Sequence, residues 1–328
     1  MARVTRGKPA AAEGPSTLSQ VARAQLSRRS LLTSASAGLG AAALLGPGAV
    51  AAAPAEPKFS LNYAPHEGSF SSRGSVLDQI AFAADRGFRA WEDNEAGKRP
   101  IAEQERIGRA LAARGMKMGV FVASLPRWGE FRPVLGGQDE GDRAAFLADV
   151  RASVDVAKRL GARWTTIVPG FVDRRVPMEL QTARIIDTMR RAAEIMEPHG
   201  IVMVMEPLNT LTDHPGVFLR TIAQAYSLAK AVRSPSVKIL ADLYHEQIQA
   251  GNLINTLEAC WDEIAYLQFG DNPGRKEPGT GEVNYGNVVR WLKRRRFDGV
   301  IGMEHGNSKP GPAGETALIA AYRDIDRA

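Results

Sequence analysis

The sequence predicts an α/β fold, a (β/α)8 TIM barrel forming a single domain behind an N-terminal signal segment. From Lys58 onward, eight short apolar runs alternate with longer amphipathic runs. That alternation gives parallel strands joined by helices, and eight is the strand number that closes such a sheet. The chain has 328 residues, room for a barrel of about 250 residues plus a leader. No Gly-x-Gly-x-x-Gly follows the first strand, so the alternative, an open dinucleotide-binding sheet, lacks its fingerprint.

The leader comes first. Ser27-Arg28-Arg29-Ser30-Leu31-Leu32 looks like a twin-arginine export motif, with Leu31 where Phe is frequent. An uncharged Ala/Leu/Gly stretch follows to about Gly46, too short and too weakly apolar for a stable membrane span. Ala49-Val50-Ala51 and Ala51-Ala52-Ala53 offer small-residue cleavage sites. Residues 1–53 therefore read as a signal peptide, and the expected location is periplasmic or extracellular via the twin-arginine route. Residues 58–328 read as the barrel.

The expected strands are Phe59–Tyr63, Ala90–Asp93, Lys117–Ala123, Trp164–Val168, Ile201–Glu206, Val237–Asp242, Ala265–Phe269 and Val300–Glu304. They are short, apolar and often β-branched, as strands covered on both faces should be. Ala144–Leu160 and Thr182–Glu197 have the apolar spacing of helices. Gly115 and Gly200 stand where helices should end before strands. Residues 127–143 read as a longer loop after the third strand, a lid or an inert insertion. The single cysteine, Cys260, excludes an intrachain disulfide and sits in an apolar helical stretch, as a small core residue would.

Charge narrows the partners. The formal net charge is +6, but residues 1–53 hold six basic side chains and one acidic one, leaving 36 basic and 35 acidic in the remainder. The basicity belongs to the leader, so a nucleic-acid partner loses its main support.

The chemistry lies at the strand ends. In a barrel the active site sits at the C-terminal ends of the strands. The last four end in Val202-Met203-Val204-Met205-Glu206, Lys238-Ile239-Leu240-Ala241-Asp242, Ile264-Ala265-Tyr266-Leu267-Gln268 and Val300-Ile301-Gly302-Met303-Glu304. A single buried carboxylate needs a partner, and three on neighbouring strands need a cation. The set is all oxygen and hard, which favours one divalent ion, Mg²⁺ or Mn²⁺, over a thiolate-type zinc site.

These segments also carry a resemblance. Glu206-Pro207-Leu208-Asn209, Asp242-Leu243-Tyr244-His245-Glu246-Gln247 and above all Gln268-Phe269-Gly270-Asp271-Asn272-Pro273-Gly274-Arg275-Lys276-Glu277-Pro278-Gly279-Thr280-Gly281-Glu282-Val283-Asn284-Tyr285 resemble the hydroxypyruvate isomerase family. That family belongs to the xylose isomerase-like barrels, beside the ketose 3-epimerases. The resemblance runs from about Lys58 to the C-terminus and is densest between Glu206 and Glu304. It implies that Glu206, Asp242, Gln268 and Glu304 bind the metal. It further implies that Glu206 and Glu304 form the acid/base pair and that His245 and Arg275 contact substrate oxygens. Glu282 reads as a structural cap, and His66 and Trp91 as core or rim packing. His305 stands where relatives carry an aromatic residue, and Leu211-Thr212 where they often carry Arg, which unsettles the substrate.

The implied function is a metal-dependent isomerase that moves a proton through an enediolate on a small hydroxy-keto acid or keto sugar. The alternative is an exported sugar 3-epimerase, or a lyase or hydrolase of 3-keto sugars. A non-enzymatic sugar-binding protein of this fold would be expected to lack one of the two strand-end glutamates. A DNA-repair endonuclease of the superfamily needs several metals and more than the five histidines present. The expected partner is a small molecule, and the sequence leaves a homo-oligomer open.

Arg28→Lys combined with Arg29→Lys should hold the precursor in the cytoplasm. Cell fractionation tests this, and normal accumulation outside the cytoplasm would overturn the export reading.

Overall fold

A computed structural model of the chain describes residues 56–124 and 128–328. The leader, residues 1–53, lies outside the described residues. Among the described residues the strands are β1 (Asn62–Ala64), β2 (Ala90–Trp91), β3 (Lys117–Met118), β4 (Val122–Ser124), β5 (Trp164–Ile167), β6 (Val202–Met205), β7 (Val237–Asp242), β8 (Ile264–Gln268) and β9 (Val300–Gly302). The helices are α1 (Val76–Asp85), α2 (Ile101–Arg114), α3 (Glu140–Leu160), α4 (Met178–Met196), α5 (Ile222–Val232), α6 (Leu243–Gln249), α7 (Leu253–Cys260), α8 (Tyr285–Arg294) and α9 (Gly311–Asp326). None is long and apolar enough to cross a membrane.

Every strand pairing is parallel. One sheet runs β1-β9-β8-β7-β6-β5-β4 and a second pairs β2 with β3. The two join into a ring. Glu92 N donates to Pro65 O at 2.9 Å, linking β2 to the end of β1, and β3 continues through residues 119–121 into β4. The expected third strand, Lys117–Ala123, is thus corrected to two short strands. The interruption has a tertiary cause. The Tyr266 hydroxyl lies where a Cβ on Gly119 would be, 2.4 Å away, and Val120 N donates to that hydroxyl at 3.3 Å rather than to a ladder.

Side chains alternate between two cores, as strand geometry requires. Ala64, Ala90, Val120, Trp164, Val202, Val204, Leu240, Tyr266 and Val300 form a separate buried cluster inside the ring. Their neighbours Met203, Ile239, Leu267 and Ile301 pack outward against the helices. The period of two fixes the site. Two residues beyond Ala90, Val204, Leu240 and Tyr266 stand Glu92, Glu206, Asp242 and Gln268, and Val300 leads through Gly302 to Glu304.

The helices start and stop where the backbone is satisfied. Ser75 and Asp78 form a capping box on α1. Asp139 accepts from Gly141 N and starts α3 one turn before the expected Ala144. Likewise α4 starts at Met178, behind Pro177, rather than at Thr182. Gly115 and Gly200 adopt φ of +63° and +64°, the left-handed stops expected of them. The last helix returns to the segment just before β1: Ser60 N and Oγ donate to Asp326 at 2.9 and 2.6 Å. Cys260 is a buried free thiol.

Gly302 serves packing. A Cβ there would lie 1.9 Å from Glu92 Oε2, so only glycine leaves room for the Glu92 carboxyl inside the ring. Gly302→Ala should cost about 1–3 kcal/mol through overpacking. Adding Glu92→Ala should relieve most of that strain, a coupling readable as a double-mutant cycle in urea denaturation. An unchanged midpoint in Gly302→Ala would overturn the close approach.

Candidate active site

At the C-terminal ends of the strands lies a cavity of about 250 Å³ whose walls include Glu206, Glu304, His245 and Arg275. Trp128, Val168 and Leu208 supply an apolar side, and His214, Asn94 and Thr166 complete the polar one. Asp242 and Gln268 are buried beside it rather than on its wall. They are register partners on β7 and β8. A larger cavity, about 620 Å³, opens at the opposite strand ends between residues such as Lys117, Arg163 and Lys238. It contains none of the strand-end carboxylates.

The Gln268–Tyr285 segment brings Arg275 into the site. Asp271 is buried and accepts backbone N–H bonds from Gly279, Gly281 and Val283 at 2.8–3.1 Å. It thereby ties a long loop to one carboxylate. Glu282 accepts from Gln247 and Asn272, a structural tie as expected. Arg275 Nη2 then donates to Asp242 Oδ2 and to Glu304 Oε2, each at 2.9 Å. Its Nε donates to Glu304 O at 3.0 Å.

Asp242 divides its oxygens. Oδ1 caps α6 by accepting from Tyr244 N at 2.8 Å, leaving Oδ2 for Arg275 and for His245 Nε2 at 3.5 Å. His245 Nε2 lies 4.0 Å from Glu206 Oε1. Glu206, Asp242 and His245 present donor atoms all within 4.8 Å of one another, a grouping that could hold a metal ion.

The tautomer of His245 decides what it can do. Asn209 Oδ1 accepts from Thr212 N and Asp213 N, which turns its amide nitrogen toward His245. Asn209 Nδ2 donates to Nδ1 at 2.7 Å. The proton therefore sits on Nε2, facing Asp242 and Glu206. Burial, then the charge of Arg275, pushes the imidazole pKa down to about 3. His245 is thus a neutral imidazole whose Nε2–H points into the site, and to ligate an ion through Nε2 it would have to carry its proton on Nδ1 instead.

The carboxyls behave as a crowded set. Burial raises Glu206 well above the ordinary carboxylate range, and the charges of Glu304 and Asp242 add to it. Burial likewise raises Asp242, against the opposing charge of Arg275. Gln268 donates Nε2 to Glu92 Oε1 at 3.0 Å, and its Oε1 is a buried acceptor without a partner among the described residues. A hard divalent cation fits this donor set. It would relieve the repulsion that raises the carboxyls and give the orphaned amide oxygen a partner.

Residues not singled out from the sequence also shape the site. Glu92, fully buried, accepts from the Tyr266 hydroxyl at 2.7 Å and from Gln268. Its signal was the same one read for the later strands, a carboxylate ending an apolar run, here Ala90-Trp91-Glu92. Asn94 Nδ2 donates to Glu304 Oε1 at 3.3 Å. Asn209 lies in the Glu206-Pro207-Leu208-Asn209 segment that carries the resemblance, whereas Trp128 and His214 carry no pattern recognisable without the fold. Trp91 is core, and His66 packs at the rim, its Nε2 3.1 Å from His305 O. His305 is buried against the Tyr322 hydroxyl at 3.0 Å. Leu211 is exposed.

Comparison with known proteins adds an independent line. A model of the xylose isomerase-like TIM barrel family matches residues 80–324. Hydroxypyruvate isomerase of Escherichia coli K12 is 33% identical over 178 residues, covering 54% of this chain and 67% of that protein. The 2-oxo-tetronate isomerase of Cupriavidus necator is 26% identical over 249 residues, covering 76% of this chain and 92% of that protein. Among solved structures, an AP endonuclease, family 2, from Brucella melitensis superposes with a TM-score of 0.69 at 24% identity, over 81% of this chain and 99% of that one. The 3-keto-D-glucoside 4-epimerase of E. coli superposes with a TM-score of 0.67 at 19% identity, over 82% and 100%. At those identities the two structures speak to the fold.

The tautomer is directly measurable. Imidazole ¹⁵N shifts should show His245 protonated on Nε2 and neutral from pH 8 down to pH 5, because its folded pKa lies far below the ordinary 6.5. A proton on Nδ1, or titration near pH 6.5, would overturn the assignment.

Proposed function

The chain belongs to the xylose isomerase-like TIM barrel family, and from that premise we propose that it is a metal-dependent isomerase of small hydroxy-keto acids or keto sugars. The observation that carries this reading is the pair of strand-end glutamates, Glu206 and Glu304, on the wall of one cavity with the donors His245 and Arg275. The matched relatives named as hydroxypyruvate isomerase and 2-oxo-tetronate isomerase support the reaction class. The twin-arginine motif supports export, with Arg28 and Arg29 as its basis.

In this reading Glu206, Asp242, Gln268 and Glu304 hold one divalent ion, Mg²⁺ or Mn²⁺. When bound there, such an ion would supply positive charge that stabilises the anion formed on proton removal. The rest falls to side chains. One glutamate of the pair takes the proton from the carbon beside the carbonyl, and a carboxyl returns a proton to the neighbouring carbon or to the opposite face. His245 Nε2–H and Arg275 orient substrate oxygens, and Trp128, Val168 and Leu208 exclude water from one side.

One observation favours the keto-sugar branch over the keto-acid branch. Among the described residues, Arg275 is the sole arginine on the cavity wall, and its Nη2 is already shared by Asp242 and Glu304. His245 is held neutral, and burial pushes His214 down as well. A substrate carboxylate would therefore meet little unshared positive charge on the described wall, whereas sugar hydroxyls match the buried, unpartnered Asn94 Oδ1 and Thr166 Oγ1.

Incubation of the Mn²⁺-loaded protein in D₂O with hydroxypyruvate, ketoses and 3-keto sugars identifies the carbon whose proton moves. Glu304→Gln keeps an oxygen donor and removes the base, so exchange should fall by about 10²–10⁴-fold and excess Mn²⁺ should not restore it. Gln268→Asn should weaken the metal, and excess Mn²⁺ should recover part of its rate. Near-normal exchange in Glu304→Gln at saturating Mn²⁺ would refute the two-carboxylate mechanism.

A further inference from the structure

Glu92 is the buried carboxyl that the proposed proton transfer leaves without a task. It projects into the ring from the end of β2, in space that exists because residue 302 has no Cβ. Both of its oxygens accept. Oε2 accepts from the Tyr266 hydroxyl at 2.7 Å, and Oε1 accepts from Gln268 Nε2 at 3.0 Å. The Gln268 amide has two chemically different ends, and an ionised Glu92, the form a neighbouring cation favours against the burial that pushes it up to about 8, can bond only the nitrogen end. Its oxygen end is then left without a hydrogen-bond partner in a buried position, next in register to Asp242. Such an orphan is costly unless something binds it.

We propose that Glu92 is a positioning residue whose carboxylate holds the Gln268 amide by its nitrogen and so keeps the amide oxygen free to bind a cation. The role rests on the metal reading above. It is the relation by which outer hydrogen bonds orient the ligands of an ion. Tyr266 gives it a polarity. Its hydroxyl accepts from Val120 N at 3.3 Å and donates to Glu92, so the atom facing Tyr266 must be an acceptor. Replacing Glu92 by glutamine would turn the new amide oxygen toward Tyr266 and its NH₂ group toward residue 268. Gln268 would have to reverse, offering its own NH₂ group where the free oxygen now stands, and an amide nitrogen is no ligand for Mg²⁺ or Mn²⁺.

The test is Mn²⁺ affinity by calorimetry together with the melting temperature of the metal-free protein. Glu92→Gln should weaken Mn²⁺ binding by about 10–100-fold while melting close to the native protein, since its hydrogen bonds are equal in number. Glu92→Leu should melt lower yet bind Mn²⁺ better than Glu92→Gln, because the Gln268 amide is released rather than reversed. A merely structural Glu92 ranks the two variants the other way. Glu92→Gln combined with Gln268→Glu should recover affinity, as the new carboxylate at 268 accepts from position 92 with one oxygen and keeps the other free. Native affinity in Glu92→Gln, or no recovery in the double variant, would overturn the positioning role. A native protein that binds no Mn²⁺, or binds it equally well after Asp242→Asn, would instead overturn the metal reading on which the role rests.

Discussion

The site is governed by the cost of gathering carboxyls inside a closed ring. Glu92, Glu206 and Asp242 are buried and Glu304 stands on the cavity wall beside them. Each charge taken from water is expensive, and like charges make the next one more so. The protein answers with every device at hand. Arg275 bridges Asp242 and Glu304, Tyr266 and Gln268 donate to Glu92, and Asn94 donates to Glu304. What these devices leave over is the raised Glu92, Glu206 and Asp242 and the orphaned oxygen of Gln268. That remainder is what the proposed divalent ion would satisfy.

The scaffold makes this concentration tolerable. Five strands send carboxyl or amide groups inward because the period of two carries an apolar residue at one level and a polar one at the next. The lower level, with Ala90, Val204, Leu240 and Tyr266, is a buried apolar layer beneath the polar one. Tyr266 belongs to both levels. Its ring is core, while its hydroxyl breaks the third strand at Gly119–Val120 and satisfies Glu92. The irregular third strand is therefore a consequence of the site.

Loops do the remaining work. The segment following β8 is long and rich in Gly and Pro, yet Asp271 gathers three of its backbone N–H groups and Glu277 is held from Ser308 N at 2.8 Å. A cation can thereby be delivered by a loop with the precision of a strand. Asp271 and Glu277 thus hold the loop from which Arg275 reaches the carboxylates. His245 is fixed in a similar way from a distance, by Asn209, 36 positions earlier in the chain.

The sequence by itself determined the ring and the polar residues that close its apolar runs. Alternation along a strand is local, so Glu206, Asp242, Gln268 and Glu304 could be read from their own strands, and glycine stops such as Gly115 and Gly200 from their own helices. Glu92 is equally legible by that rule, at the end of Ala90-Trp91-Glu92. Other features were decided by tertiary structure alone. The break in the third strand depends on a hydroxyl 146 positions away from Val120. The proton on His245 Nε2 depends on which end of Asn209 faces it, and the free oxygen of Gln268 depends on Glu92, 176 positions distant. Hydrogen-bond polarity is a property of pairs, and the chain assigns these pairs only when the ring closes.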